Sequence, residues 1–185
     1  GTYIWDNVGV HVSPRVHAVK FSWLLKKVNS IVDANKKKKV RFGGVESWLI
    51  FNLTGLQHFV TDYTHASKYS LFNLNELKWD SFLLKDLGVI AGSLPDVQSS
   101  MSSFGQTRGF VPLPDGIPIS GLSLVHQSSF FEAQCSQYGD VLLNYTESGS
   151  HFMINTGQEK NEAIDKKLLR YLTVRVKKFD LETNY

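Results

Sequence analysis

Apolar side chains at Phe21, Leu24, Leu25, Val28, Ile31 and Val32 recur every three or four residues. That spacing puts them on one face of an α-helix, and such a face must be buried against another element. Ser13 reads as its N-cap and Pro14 as its first helical residue, where the missing N–H costs nothing. The helix is predicted to reach Asn35. Gly43-Gly44 breaks the chain, and Glu46 to Leu53 is predicted as a short apolar helix closed by Thr54-Gly55. Residues 56–70 are polar and mixed and read as loop. Leu74 to Leu87 is predicted as an amphipathic helix, with Gly88 where a C-terminal glycine ends it. Pro95, Pro112, Pro114, Gly116 and Pro118 mark irregular backbone. A strand over Ile117–Val125, a helix over Gln127–Gln137 and strands over Val141–Tyr145 and His151–Asn155 follow. Leu172, Val174 and Val176 alternate with polar neighbours, a half-buried strand. Helices come mostly first and strands last, so the class is mixed α/β or α+β.

Those elements must share one core. The chain has 185 residues, 42% apolar and 20% charged, the composition of one globular domain. One cysteine, Cys135, excludes an internal disulfide framework and points to an intracellular, reducing compartment. Cys135 itself is expected mid-helix on an apolar face, and Trp23, Trp48 and Trp79 in the core. No apolar run approaches a membrane span of about 20 residues, and the first residues lack the layout of a signal peptide. The net charge of +3 neither demands nor excludes a polyanionic partner. Lys36, Lys37, Lys38, Lys39 and Arg41 form a basic loop. With no interleaved aromatic it reads first as a solvated loop, and only secondarily as a polyanion contact. The six histidines show no metal-ligand spacing.

Several segments carry a family pattern. Phe42-Gly43-Gly44-Val45-Glu46-Ser47-Trp48-Leu49-Ile50-Phe51-Asn52-Leu53-Thr54-Gly55 resembles F-G-T-I-D-T-W-L-I-W-N-L-T-G of the glycerol kinases. Val60-Thr61-Asp62-Tyr63-Thr64-His65-Ala66-Ser67 is close to their V-T-D-Y-T-N-A-S. Leu94-Pro95-Asp96-Val97, Ile117-Pro118-Ile119-Ser120-Gly121 and Phe152-Met153-Ile154-Asn155-Thr156-Gly157 resemble L-P-E-V, I-P-I-A-G and L-L-M-N-T-G. In order and spacing the chain resembles this group within the FGGY carbohydrate kinases from about residue 11 to 176. The resemblance implies part of the N-terminal lobe of an actin/hexokinase-like, ribonuclease-H-like sugar kinase, a mixed sheet flanked by helices. It places that lobe segment at 1–157, with 158–185 as a terminal strand and tail. The family's phosphate loop, its Arg-Glu pair for glycerol and its second lobe have no counterpart here.

Phosphoryl transfer to a polyol needs a base beside the attacking hydroxyl, Mg²⁺, and donors around the phosphates. The family takes its base from the Asp of G-D-Q-Q-A-A-L-F-G. Set against Val125–Ala133 without gaps, that motif puts His126 at the base position and Gln127 beside it. Loss of a positioned base costs on the order of 10²–10⁴ in rate; an imidazole can accept a proton, and the plainer reading of His126 is an ordinary histidine at a strand end. At the phosphate turn, Glu147, Ser148 and Gly149 stand where the family has G-T-G. A carboxylate about 5 Å from a phosphate charge costs roughly 3 kcal/mol at an effective dielectric near 20. At the polyol site Arg15 replaces a Tyr and His151 replaces a Phe. A guanidinium cannot reproduce a phenol's hydrogen bond and flat packing face.

From these changes the expectation is a non-catalytic glycerol kinase-like chain, not an enzyme. It is expected to have no metal or cofactor, and to act as a subunit whose apolar faces are covered by other protein chains. Nucleic acid and small-molecule substrates are disfavoured. The alternative is a piece of an ATP-dependent polyol kinase, which uses Mg-ATP, with His126 as base and Ser148 as a phosphate contact.

Overall fold

The computed structural model describes residues 2–9, 14, 16–146 and 149–155. A short helix α1 (Thr2–Val8) leads to α2 (His17–Lys27) and α3 (Asn29–Lys36). The single long helix expected here is therefore two. Val28 between them is extended, at φ −106° and ψ 99°. Its carbonyl accepts the N–H of Ile31 and of Val32, so it opens α3 as well as closing α2. A β-branched residue followed by Asn29-Ser30 is a weak stretch of helix, which favours a break there. The helix also starts later than expected, after an extended Val16; Ser13 and Arg15 lie outside the described residues. The apolar face is real: Ala18 and Phe21 are buried and Leu25 packs against them. Trp23, two residues and about 200° around from Phe21, is 58% exposed and not a core residue.

Helix α4 (Val45–Leu53) lies where the sequence puts it, closed by the Thr54 hydroxyl donating to the Ile50 carbonyl at 2.7 Å. It is apolar nearly all round, so periodicity could not choose its inner face. Ser47 and Ile50 face in, while Trp48 is 60% exposed.

The stretch read as loop is instead largely buried from Val60 onward. It holds β1 (Val60–Asp62), α5 (Tyr63–Ala66) and a 3₁₀ turn, Ser67–Tyr69. β1 pairs in parallel with β4 (Asp96–Gln98), in the register Val60 with Asp96 and Asp62 with Gln98. Its polar residues obscured it: Asp62, Thr64 and Ser67 are buried because each finds partners within the segment.

β2 (Phe72–Asn73) and β3 (Lys78–Trp79) form a small antiparallel pair. The helix expected from Leu74 begins only at α6 (Ser81–Leu87). The Asn73 Oδ1 accepts the N–H of Asn75 and of Glu76, each at 3.0 Å, and folds that stretch into a turn. Asp80 caps α6 through the Leu83 N–H, and Gly88 ends it at φ 70°. Residues 117–124 form no strand beyond a single bridge between Gln106 and Pro118; proline cannot donate to a ladder. α7 (Val125–Glu132) follows, then the hairpin of β5 (Val141–Thr146) and β6 (Gly149–Ile154). Cys135 is buried as expected, but beyond the end of α7, against Phe130 and Met153. The strand read at 171–177 lies outside the described residues.

Among the described residues three apolar clusters hold these pieces. The largest joins α1, α2, Tyr69, Leu71 and α6, with Trp79 packed on it. Within it Phe21 stacks on Phe42 at 3.6 Å between ring centroids. Ile50, Val60 and Phe104 form the second, and Phe130, Cys135 and Met153 the third. Each fully buried large apolar side chain contributes about 1.5–3 kcal/mol. Among the described residues no helix is long and apolar enough to cross a membrane.

Candidate functional site

The first turn of α7 carries Val125, His126 and Gln127, and no carboxylate occurs from Ser123 until Glu132. Val125 is exposed, His126 half-buried and Gln127 buried. Leu124 is the N-cap, extended at φ −73° and ψ 143°, and an apolar residue there offers the helix no side-chain cap. Its own backbone is held from outside: the Leu124 N–H donates to the Thr64 Oγ1 at 2.8 Å.

Thr64 belongs to a buried cluster around Asp62. The Asp62 Oδ2 accepts from the Thr64 N–H at 3.0 Å, the Thr64 hydroxyl at 2.7 Å and the Ser100 hydroxyl at 2.6 Å. The Oδ1 accepts the His65 N–H at 3.2 Å and meets the His65 Nδ1 at 2.6 Å. Burial pushes the Asp62 carboxyl up, but the hydrogen bonds from His65, Ser100 and Thr64 outweigh it and hold it below the usual carboxylate range.

A second cluster surrounds Glu46. Its Oε1 accepts from the Tyr69 hydroxyl at 2.9 Å, the Thr61 hydroxyl at 3.0 Å and the Ser47 hydroxyl at 3.1 Å. The Tyr69 oxygen in turn accepts the Gly44 N–H. α4, β1 and the 3₁₀ turn are thereby tied at one point.

The β5–β6 hairpin approaches α7. Asn144 donates to the Ser129 Oγ at 3.3 Å, and His151 is the backbone partner of Asn144. At the end of the ladder Thr146 pairs with Gly149. The backbone thus brings the His151 strand beside the helix that carries His126 and Gln127. Glu147, Ser148 and Arg15 lie outside the described residues. The basic loop is elsewhere: Lys36 pairs with Asp33 at 3.9 Å, and the Arg41 guanidinium lies over the Phe51 and Phe59 rings at 4.8 and 5.1 Å. A polar cavity of about 650 Å³ opens beside His58, Gln106, Arg108 and Asp115. Among the described residues no three His, Cys, Asp or Glu side chains converge as a metal site.

Sequence reasoning passed over Asp62, Thr64 and Ser100. The signal was present in Asp62-Tyr63-Thr64-His65, an N-cap residue before a short turn, but no apolar periodicity accompanied it.

The N-terminal domain of the FGGY family of carbohydrate kinases matches residues 1–131. The chain belongs to this family. Glycerol kinase from Vibrio vulnificus is 36% identical over 159 residues, which covers 86% of this chain and 31% of that protein. The Vibrio campbellii glycerol kinase is 34% identical over 158 residues. In structure, Plasmodium falciparum glycerol kinase with ADP superposes with a TM-score of 0.79 at 30% identity, over 84% of this chain and 31% of that one. Xylulose kinase from Lactobacillus acidophilus has the same fold, with a TM-score of 0.63 at 23% identity. These neighbours carry the actin/hexokinase-like fold, and the chain is a segment of its N-terminal lobe. It spans 31% of the length of the curated relatives it matches.

One expectation is overturned here. The chain was expected to fall outside the enzymes, yet its relatives are named glycerol kinase and its family is one of carbohydrate kinases. That expectation inferred lost activity from substitutions alone. Three of the substituted positions, Arg15, Glu147 and Ser148, are not among the described residues, so no geometry supports that step.

Proposed function

We propose that this chain is the central part of the N-terminal lobe of an ATP-dependent polyol kinase, with glycerol as the favoured acceptor. The observation that supports this most is the 36% identity to a glycerol kinase, sustained over 86% of the chain. The first turn of α7 faces the reacting hydroxyl in this reading, and His126 takes its proton through a neutral imidazole. Proton transfer by a positioned side chain contributes about 10²–10⁴ in rate. In this reading Ser148 offers its hydroxyl and Gly149 its backbone to the phosphates, with Glu147 weakening that contact. Arg15, Gln127 and His151 line the acceptor. The described residues bring no three ligands together for Mg²⁺, and no step here depends on a metal held by this chain.

The exposed Val45, Trp48 and Leu49 on α4 are covered, in the same reading, by other protein surface, either the remainder of the kinase or a partner chain. The test uses the natural protein. Its intact mass should exceed the 20.9 kDa of this sequence. Mg-ATP at 100 times its Kd should add about 2.7 kcal/mol of stability. A natural mass of 20.9 kDa together with no thermal shift at millimolar Mg-ATP would overturn the proposal.

A further inference from the structure

Asp62 is completely buried, and neither the β1–β4 pairing nor the single turn of α5 requires a carboxylate of such wide connection. Its surroundings assign it a task. A carboxylate only accepts, so both hydroxyls that meet its Oδ2 must point their protons at it. The Thr64 hydroxyl spends its one proton there, at 2.7 Å, and is left with lone pairs facing away. One of these receives the Leu124 N–H at 2.8 Å. The Ser100 hydroxyl is fixed in the same way at 2.6 Å, and the Ser100 carbonyl takes the Leu122 N–H at 2.9 Å. The carboxylate thus orients two residues that grip alternate backbone N–H groups of 122–124. Leu124 is the N-cap of α7, and its carbonyl accepts the Ser128 N–H at 2.9 Å to start the helix.

We propose that Asp62, through Thr64, is a positioning residue for the first turn of α7, setting where His126 and Gln127 stand in the site. Its catalytic consequence rests on the kinase reading above; the placement rests on this chain's geometry alone. The device suits its task because Leu124 has no side chain to cap the helix, so the entry point is fixed from β1 and α5. Displacing a reacting group by about 1 Å costs roughly 10²-fold in rate.

The experiment compares Thr64→Val and Thr64→Ser with wild type in the full natural protein. It reads kcat, KM for ATP and for glycerol, melting temperature, and amide exchange at Leu124. Thr64→Val keeps the shape and removes the relay. Exchange at Leu124 should quicken about tenfold, the factor of one hydrogen bond, and kcat should fall about tenfold or more, with KM for glycerol rising and KM for ATP little changed. Thr64→Ser should restore both. A folded Thr64→Val protein with wild-type kcat and unchanged Leu124 exchange overturns the proposal. Should Thr64→Val not fold, Asp62→Asn, which takes the charge from the oxygen that orients the Thr64 hydroxyl, must raise Leu124 exchange and lower kcat in the same direction, and no change in either overturns it. If the wild-type protein transfers no phosphate, the kinase reading fails by itself. Leu124 exchange then decides the placement alone: faster exchange in Thr64→Val sustains it, and unchanged exchange ends it.

Discussion

Replacing Tyr69 with Phe removes a single oxygen from the point where α4, β1 and the 3₁₀ turn meet. The ring itself is 1% exposed and keeps its packing against Trp79 at 5.2 Å and His17 at 5.1 Å between centroids. The cost therefore falls on two hydrogen bonds. One is donated to the Glu46 carboxylate at 2.9 Å, and a bond to a charged group is worth about 1.5–3 kcal/mol. The other is accepted from the half-buried Gly44 N–H, and leaving such a donor unmet costs about 1–3 kcal/mol. Overlap between the two puts the expected loss at about 2–4 kcal/mol. For a chain of this size each kcal/mol moves Tm by about 2–4 °C, so a drop of roughly 6–12 °C is expected for a loss near 3 kcal/mol. Urea melts of both proteins should show a lower midpoint at an unchanged slope. The pH dependence supplies an independent check. Burial, and then the Glu46 carboxylate, push the Tyr69 phenol above its ordinary value of 10. A raised folded value means stability that is full below the unfolded value and lost as pH rises beyond it. Wild type should therefore lose stability above pH 10, and Tyr69→Phe should lack that component. A loss under about 0.5 kcal/mol, the range of an inconsequential surface change, would refute the reasoning.

Three further outcomes are expected. Gly105 sits at φ 101°, and a Cβ there would meet the His58 Cδ2 at 2.6 Å and the Thr54 Cγ2 at 3.1 Å; Gly105→Ala should lower stability by about 1–3 kcal/mol in a denaturant melt. The Asp62 carboxyl is held below the usual range by His65, Ser100 and Thr64 against the effect of burial, so its contribution is present above about pH 4 and lost as pH falls through the lowered folded value; an acid titration followed by fluorescence should be shallower in Asp62→Asn than in wild type. Burial lowers the Lys68 amine to about 8, so the folded state releases this proton before the unfolded one, and stability should rise from about pH 8 to about 10.4 in wild type but not in Lys68→Met.

The parts of the fold that show in the sequence are those whose local chemistry and tertiary role agree. α4 with its Thr54-Gly55 stop, the glycine ending α6 and the β5–β6 hairpin all fall where propensity and pattern put them. The stretch 60–70 does not, because its buried residues are polar and become acceptable in a core only through mutual hydrogen bonds that no periodicity encodes. Trp48 is misplaced for another reason. A helix apolar on every side gives no clue to its inner face, and its outer face is one the rest of a larger protein can cover. The helix break at Val28 is a matter of a few weak residues that tertiary packing resolves. Of the site, the resemblance pointed to α7 and the hairpin; the Asn144 and Ser129 side chains join those two elements. Asp62, Thr64 and Ser100, which hold that helix, are distant in sequence from it, so only the folded chain connects them.

Incubating the full natural protein with Mg-ATP and isotopically labelled glycerol, and resolving the products by mass, tests the account most directly. The account predicts labelled glycerol phosphate formed in step with ADP. ADP release without labelled product, or no turnover at any pH between 5 and 9, would contradict it.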